Sequence, residues 1–444
     1  MTIRDSFSGR FGIIAAAAGS AIGLGNIWRF PYVCGQNGGG AFLLVYLVCV
    51  VLMGLPIMLA EFGIGRSAQR NAYRSFKILS PNKPWYLIGV MGIIAAFTIM
   101  SFYSAVGGWT IEYIFRSVTN TMSGDHAETF TSFITESYKP LAYQFAFLAL
   151  SFGIVMMGVS KGIERSSKIL MPLLLLLLVV LCIRSVTLPG ASEGLKFLLK
   201  PDFSKLTGNS ILLAMGQAFF SLSLGMGCMI TYGSYIKRKE DLTSSVGMIA
   251  GTDTLIALLA GIAIFPAAAA LGVKPGSGPG LVFITLPGMF QQMAGGMIFS
   301  TLFFILLCIA ALTSAISLIE VVVTFCVEEM RIRRGPATAL VAGCIFILGT
   351  FCSLSLGIVP KLNLFGMNFF DFMDFSSSNI LLPIGGFFIA IYVGWSLNKR
   401  ITVKELTSDG SLKFFGLRFF YFLIKYIVPV AILIVFISGL FRVE

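Results

Sequence analysis

Charge is scarce in this chain, and histidine is almost absent. Only 12% of its 444 residues are charged, about half the roughly 25% of a soluble domain. A water-soluble fold of this length would leave broad apolar patches bare and aggregate, which excludes soluble enzymes and nucleic-acid binders. The single histidine, His126, stands in the polar stretch 119–140. Histidine-ligated metal sites and Ser-His or Cys-His catalysis are therefore excluded, and no enzyme activity or catalytic residue is expected. The eight cysteines lie in or beside apolar runs without a CxxC pair and read as small buried hydrophobes.

Apolar length is what the chain has instead. It is 57% hydrophobic, and its mean hydropathy is +0.90. Eleven segments are long enough to span a bilayer: 11–34, 40–65, 86–116, 141–159, 168–187, 210–235, 243–271, 296–327, 337–356, 376–397 and 415–440. Lipid requires backbone groups to bond internally, so these predict an all-α polytopic membrane protein with a single membrane domain over 1–444. No cleavable signal peptide is expected at the MTIRDSFSGRFG start. With the N-terminus inside, 21 Lys and Arg fall on the cytoplasmic side and 9 on the other. That bias predicts a cytoplasmic N-terminus and, after eleven spans, an extracytoplasmic C-terminus. The net charge of +12 is thus topology and not a nucleic-acid footprint.

Two spans look interrupted. AAAAGSAIGLGNIWRFPY (15–32) carries Gly19, Gly23 and Gly25 mid-span, followed by Asn26, Arg29 and Pro31. Glycine costs about 1 kcal/mol in a helix interior. One reading is a close helix-packing face. The other is a broken helix whose freed carbonyls and amides bind something, and the intramembrane Arg29 favours it. GQAFFSLSLGMGCMITYGSY (216–235) repeats the pattern with Ser221, Ser223, Gly225 and Gly227. Breaks in spans one and six fit a five-plus-five inverted repeat, about 11–187 and 210–397, with an extra helix at 415–440.

The set GSAIGLGNIWRFPY, NGGGAF (37–42), GQAFFSLSLGMG and AALTS (310–314) resembles the signature of the neurotransmitter:sodium symporter family. The likeness runs over nearly the whole chain. Its eleven-span form is similar to the bacterial amino-acid symporters of the leucine-transporter fold, which implies a bacterial plasma membrane. The resemblance implies sodium-coupled import of amino acids by alternating access, with two sodium ions and no chloride requirement. Small neutral amino acids, or a sensor that binds without transport, are the alternatives.

The resemblance also implies residue roles. The first sodium ion would meet the Ala21 carbonyl, Asn26, Ser221, Asp253 and the substrate carboxylate. The second would meet the carbonyls of Gly19, Ile22 and Ala310 and the hydroxyls of Thr313 and Ser314. Oxygen donors suit this hard cation; back-bonding within the helix is the other reading for the two hydroxyls. Substrate carboxylate would face Leu24, Gly25 and Tyr103, and its ammonium the carbonyls near Ala21, Phe220 and Ser221. Its side chain would touch Ser20, Ile99, Ser223, Met226, Ser314 and Leu318. Monoamine carriers of this family have an aspartate in the first break; this chain has Gly23, so an α-amino acid is expected. Met226 stands where the leucine carrier has a phenylalanine, and its adaptable side chain points to large hydrophobic or aromatic L-amino acids. Arg29 and Asp374 would form the outer gate, and Arg4 with Glu328 near Tyr235 the inner one. Phe7 matches the family's inner tryptophan only as an aromatic. Asp371 and Glu61 are further helix-embedded acids. GIERSSKILMP (162–172) implies a segment hinged at Gly162 and Pro172 that unwinds toward the second sodium site; a loop-to-helix junction is the other reading.

Overall fold

The computed structural model describes residues 5–122, 124–273, 278–359, 363–408 and 416–440. Among these described residues, nine helices are long and apolar enough to cross a membrane. They are Gly40–Ala68, Tyr86–Val118, Lys139–Met156, Val159–Val186, Leu242–Ala270, Gly296–Glu329, Arg334–Ser355, Phe369–Ser396 and Leu417–Leu440. One bent pair adds a tenth, and two shorter helices occupy the place of the expected sixth span. Span one is Arg10–Ala21 and Gly25–Gln36, bent by 54°. Span six is Gly208–Ser221 and Cys228–Gly233.

Several bounds differ from expectation for local reasons. Span five starts at Val159, before its expected 168, because the buried Glu164 takes Lys168 (2.6 Å) and the Ser8 amide (2.9 Å) and lets a polar sequence stay helical. Span ten starts at Phe369, not 376; Asn368 Oδ1 caps it by accepting from the Asp371 amide at 2.9 Å. The polar stretch 119–140 holds a helix, His126–Thr135, capped by Asp125. A short apolar helix, Leu281–Gln291, sits between spans seven and eight. It is too short for a span, so hydropathy alone left it unassigned. A two-residue antiparallel pairing joins Asn363–Leu364 to Met367–Asn368.

Both breaks are held by side chains that replace lost helix bonds. In the first, Ile22 is extended, with φ −76° and ψ 100°. In the second, Ser223, Gly225 and Gly227 all have positive φ. Gly225 is required there: at φ +80° a side chain is strained, and a Cβ would lie 2.5 Å from the Leu382 carbonyl oxygen. Glu61 Oε1 accepts from the Gly225 amide at 2.7 Å, and Gln217 Nε2 donates to the Gly25 carbonyl at 2.9 Å. Span one therefore touches span six at its break, and its first half packs on spans five, seven and eight.

Span three forms the opposite wall of this centre, and it is pinned from behind. The buried Gln144 of span four donates to Ser104 Oγ at 2.8 Å and accepts from Ser353 Oγ of span nine at 2.8 Å. Ser104 lies on the face of span three away from Ile99 and Tyr103, at helical spacing. Replacing Gln144 by leucine keeps the bulk and strips both bonds; Ser104 keeps its bond to the Ser101 carbonyl, but the buried Ser353 hydroxyl loses its acceptor at about 1–3 kcal/mol. The expected result is a lower midpoint of thermal unfolding in detergent; an unchanged midpoint would show that the bonds carry no stability.

Candidate functional site

The two breaks face each other across a polar cluster. Asn26 is buried just beyond the first break, and its Nδ2 donates to Ser221 Oγ at 3.0 Å and Asp253 Oδ1 at 2.8 Å. Ser221, the last helical residue before the second break, donates to Asp253 Oδ2 at 2.8 Å. Tyr46 of span two donates to the same oxygen at 3.3 Å. Asp253 is thus fully buried and held by three neutral donors. A carboxylate in such a place needs a cation or a proton. Asn26 thus turns its amide nitrogen to the oxygens of Ser221 and Asp253, while its Oδ1 accepts from the Gly23 amide at 3.3 Å; the break beside them also frees the Ala21 carbonyl.

A second group of oxygens lies between span eight and the same break. Ser314 Oγ donates to the Ser20 carbonyl at 3.1 Å and lies 3.5 Å from that of Ile22. Thr313 Oγ1 donates inside its own helix, to the carbonyls of Ile309 and Ala310, both at 3.1 Å. The back-bonding alternative thus holds for the Thr313 proton and fails for Ser314. A Thr313 hydroxyl bonded this way still has a lone pair free to ligate. Gly19 faces it: a Cβ on Gly19 would lie 3.3 Å from Thr313 Cβ. Gly19, Ile22, Ala310, Thr313 and Ser314 are therefore brought together.

Between the two groups is a narrow cavity. Eleven of the twelve expected substrate residues line it: Ser20, Ala21, Leu24, Gly25, Ile99, Tyr103, Phe220, Ser223, Met226, Ser314 and Leu318. Ser221 does not, because its hydroxyl is turned to Asp253. Gly23 and Ser317 also line the cavity. A Cβ on Gly23 would lie 2.4 Å from Ser314 Oγ and 3.1 Å from Tyr103 OH, so any larger residue would fill the polar end. At that end the Leu24 amide donates to Tyr103 OH at 3.4 Å. Ser223 donates to the Ser20 carbonyl at 2.9 Å, and Ser20 to Ser317 at 2.7 Å. The other end is apolar: Ile99, Met226 and Leu318, all buried. One end offers amide and hydroxyl donors, and the other accepts an apolar side chain.

Phe220 closes the outer side, with the Arg29 guanidinium 4.7 Å from its ring centroid. Asp374 acts on Arg29 electrostatically, but among the described residues the two form no ion pair within 4.0 Å. Asp374 Oδ1 instead accepts from Ser378 at 2.9 Å. Asp371 Oδ2 is taken by Asn368 at 2.6 Å, a helix cap and not part of this closure.

On the inner side, the described residues make other contacts around the expected ones. Arg4 lies outside the described residues. Glu328 accepts from the Asn71 amide and side chain, both at 3.0 Å, because Asn71 starts the helix Ala72–Leu79 next to it. Tyr235 donates to Glu320 Oε1 at 2.6 Å, and Arg334 pairs with Glu320 on its other face. Sequence reasoning missed Glu320 and Arg334. Glu320 is an acid inside an apolar span, which was a usable signal; Arg334 had been absorbed into the topology count. Phe7 is buried edge-on against Tyr232 and Tyr235, with ring centroids 5.8 and 6.0 Å away. Gly162 and Pro172 both lie in wound helix. A Cβ on Gly162 would lie 2.0 Å from the Ile154 carbonyl oxygen, so the glycine also permits close packing on span four.

Comparison with known proteins agrees with this geometry. The family model of the sodium:neurotransmitter symporter family matches residues 4–140 and 134–444. An uncharacterized sodium-dependent transporter of Bacillus subtilis, YhdH, is 41% identical over 97% of both chains. The sodium-dependent serotonin transporter of Drosophila melanogaster is 30% identical, over 82% of this chain and 67% of its own length. Among solved structures, MhsT in complex with L-phenylalanine matches with a TM-score of 0.90 at 46% identity, covering 98% of this chain and all of that one. The chain is a member of the sodium:neurotransmitter symporter family.

Proposed function

We propose that this protein imports large hydrophobic or aromatic L-amino acids with two sodium ions by alternating access, in a bacterial plasma membrane with its N-terminus cytoplasmic and its C-terminus outside. The observation that carries the reading is the cavity between the two helix breaks, polar at one end and apolar at the other. The substrate carboxylate meets the Leu24 and Gly25 amides and Tyr103, since helix-start amides bind anions. The ammonium meets the carbonyls near Ala21, Phe220 and Ser221. Ile99, Met226 and Leu318 receive the side chain. A neighbour of the same fold holding L-phenylalanine supports this size class.

Sodium enters as co-substrate. Ala21, Asn26, Ser221, Asp253 and the substrate carboxylate ligate one ion; Gly19, Ile22, Ala310, Thr313 and Ser314 ligate the other. Substrate and first ion share a contact, so each raises the affinity of the other. Phe220 and Tyr103 cover the substrate from outside, with Arg29 and Asp374 drawing together above them. Release inward frees Phe7 and Tyr235 and unwinds span five between Gly162 and Pro172. The repeats, about 11–187 and 210–397, move against each other while the last span stays peripheral.

Asp253 supplies a fixed negative charge beside the first sodium ion. Exchange of chloride for gluconate should therefore leave uptake unchanged. Asp253→Asn removes a charged ligand worth about 1.5–3 kcal/mol, so sodium affinity should fall about tenfold or more. Chloride-dependent uptake by the wild type, or unaltered sodium affinity in the variant, would remove Asp253 from this role.

Substrate class is tested by competition in proteoliposomes under an inward sodium gradient. Tryptophan, tyrosine, phenylalanine and leucine should displace labelled substrate better than glycine or alanine. A better result for either small amino acid would overturn the size assignment.

A further inference from the structure

Lys425 stands nine residues into the last span, Leu417–Leu440, about 12 Å along the helix from its start. Among the described residues no carboxylate lies within 4.0 Å of it. Its ammonium sits 4.1 Å from the Trp395 ring centroid and 5.4 Å from that of Tyr426. Trp395 Nε1 donates to the Lys425 carbonyl at 3.3 Å. Spans ten and eleven touch here through Gly394, where a Cβ would come within 3.1 Å of Lys425 Cα. Toward the start of span eleven the arrangement repeats: the Lys399 ammonium lies 5.6 Å from the Tyr421 ring centroid, and Tyr421 donates to the Lys399 carbonyl at 3.3 Å.

Residues 421 and 425 are four apart on one helix, so the two cation–aromatic rungs are stacked about 5–6 Å apart. Arg400 follows Lys399, is exposed, and also has no acid within 4.0 Å among the described residues. Trp395, Phe422 and Tyr426 are 59%, 51% and 50% exposed on the same outer face. Rings attract a cation through their quadrupole but carry no net charge, so among the described residues three cations here stand without a counter-charge. Amphipathic rings settle at the level of lipid headgroups, and basic clefts between spans on the cytoplasmic side suit anionic ones.

We propose that Lys425, Lys399 and Arg400 bind the phosphate of an anionic phospholipid whose acyl chains run along Phe422 and Tyr426. This rests on the membrane-spanning fold and its cytoplasmic face, and is independent of the transported substrate. The occupant is a lipid and not free phosphate, because the exposed rings extend the cationic patch into an apolar strip of span eleven.

Trp395 is a built-in reporter. The full chain is placed in vesicles of phosphatidylcholine containing equal fractions of brominated phosphatidylglycerol or brominated phosphatidylcholine, and tryptophan quenching is compared. At about 1 kcal/mol per basic residue, each lysine enriches the anionic lipid about fivefold, so the wild type should show excess quenching by phosphatidylglycerol. The excess should vanish in K399Q/K425Q and in W395F, and persist in K425R. Added inorganic phosphate should reduce it no more than chloride at equal ionic strength. Equal quenching by the two lipids, an excess that survives K399Q/K425Q or W395F, or selective displacement by phosphate would each overturn the assignment.

Discussion

The structure depends on what becomes of backbone polar groups where a helix is interrupted inside a membrane. Water is not there to satisfy them, and each orphan costs several kcal/mol. Spans one and six stop helical bonding at Ala21 and Ser221. Some freed groups are met by protein: Glu61 takes the Gly225 amide, Gln217 the Gly25 carbonyl, and Ser223 and Ser314 the Ser20 carbonyl. The groups that remain turn toward the cavity. In the function proposed above, a charged or zwitterionic ligand completes what the chain leaves open, so stability and recognition draw on one set of atoms.

Much of this was legible in the residues. A centre dense in glycine and serine inside an apolar run cannot be an ordinary span, and two such runs five spans apart fix where the site lies. Eleven of the residues that the family likeness names line one cavity. What stayed hidden was the bonding choice of individual hydroxyls. Ser221 and Ser223 differ by two positions, yet one serves Asp253 and the other Ser20, because Ser223 has crossed into left-handed backbone with φ 53°. The inner closure was less legible. Glu320 and Arg334 lie 14 positions apart on two spans, and only their packing shows that Tyr235 joins them. Helix starts at Val159 and Phe369 were masked by polar residues that are satisfied in place, Glu164 by Lys168 and Ser8, and Asn368 by the Asp371 amide.

Asp253 links the site to energetics. Its three donors, Asn26, Ser221 and Tyr46, are all neutral, so the balance of charge in this centre is set by what else binds there. Asn26 and Ser221 come from the two broken spans, and Asp253 from span seven. An ion seated among them ties those spans together, and a carboxylate reaching the same ion from the cavity adds a further tie. Coupling between ion and amino acid then follows from shared ligands and needs no long-range relay.

Reciprocity of that coupling is the most direct test. Binding of labelled phenylalanine is titrated at several sodium concentrations, and sodium binding is titrated with and without phenylalanine, on the same purified protein. Shared ligands predict that each raises the affinity of the other by the same factor, in the range of about 5–150-fold. Affinities that do not change with the partner would contradict the account.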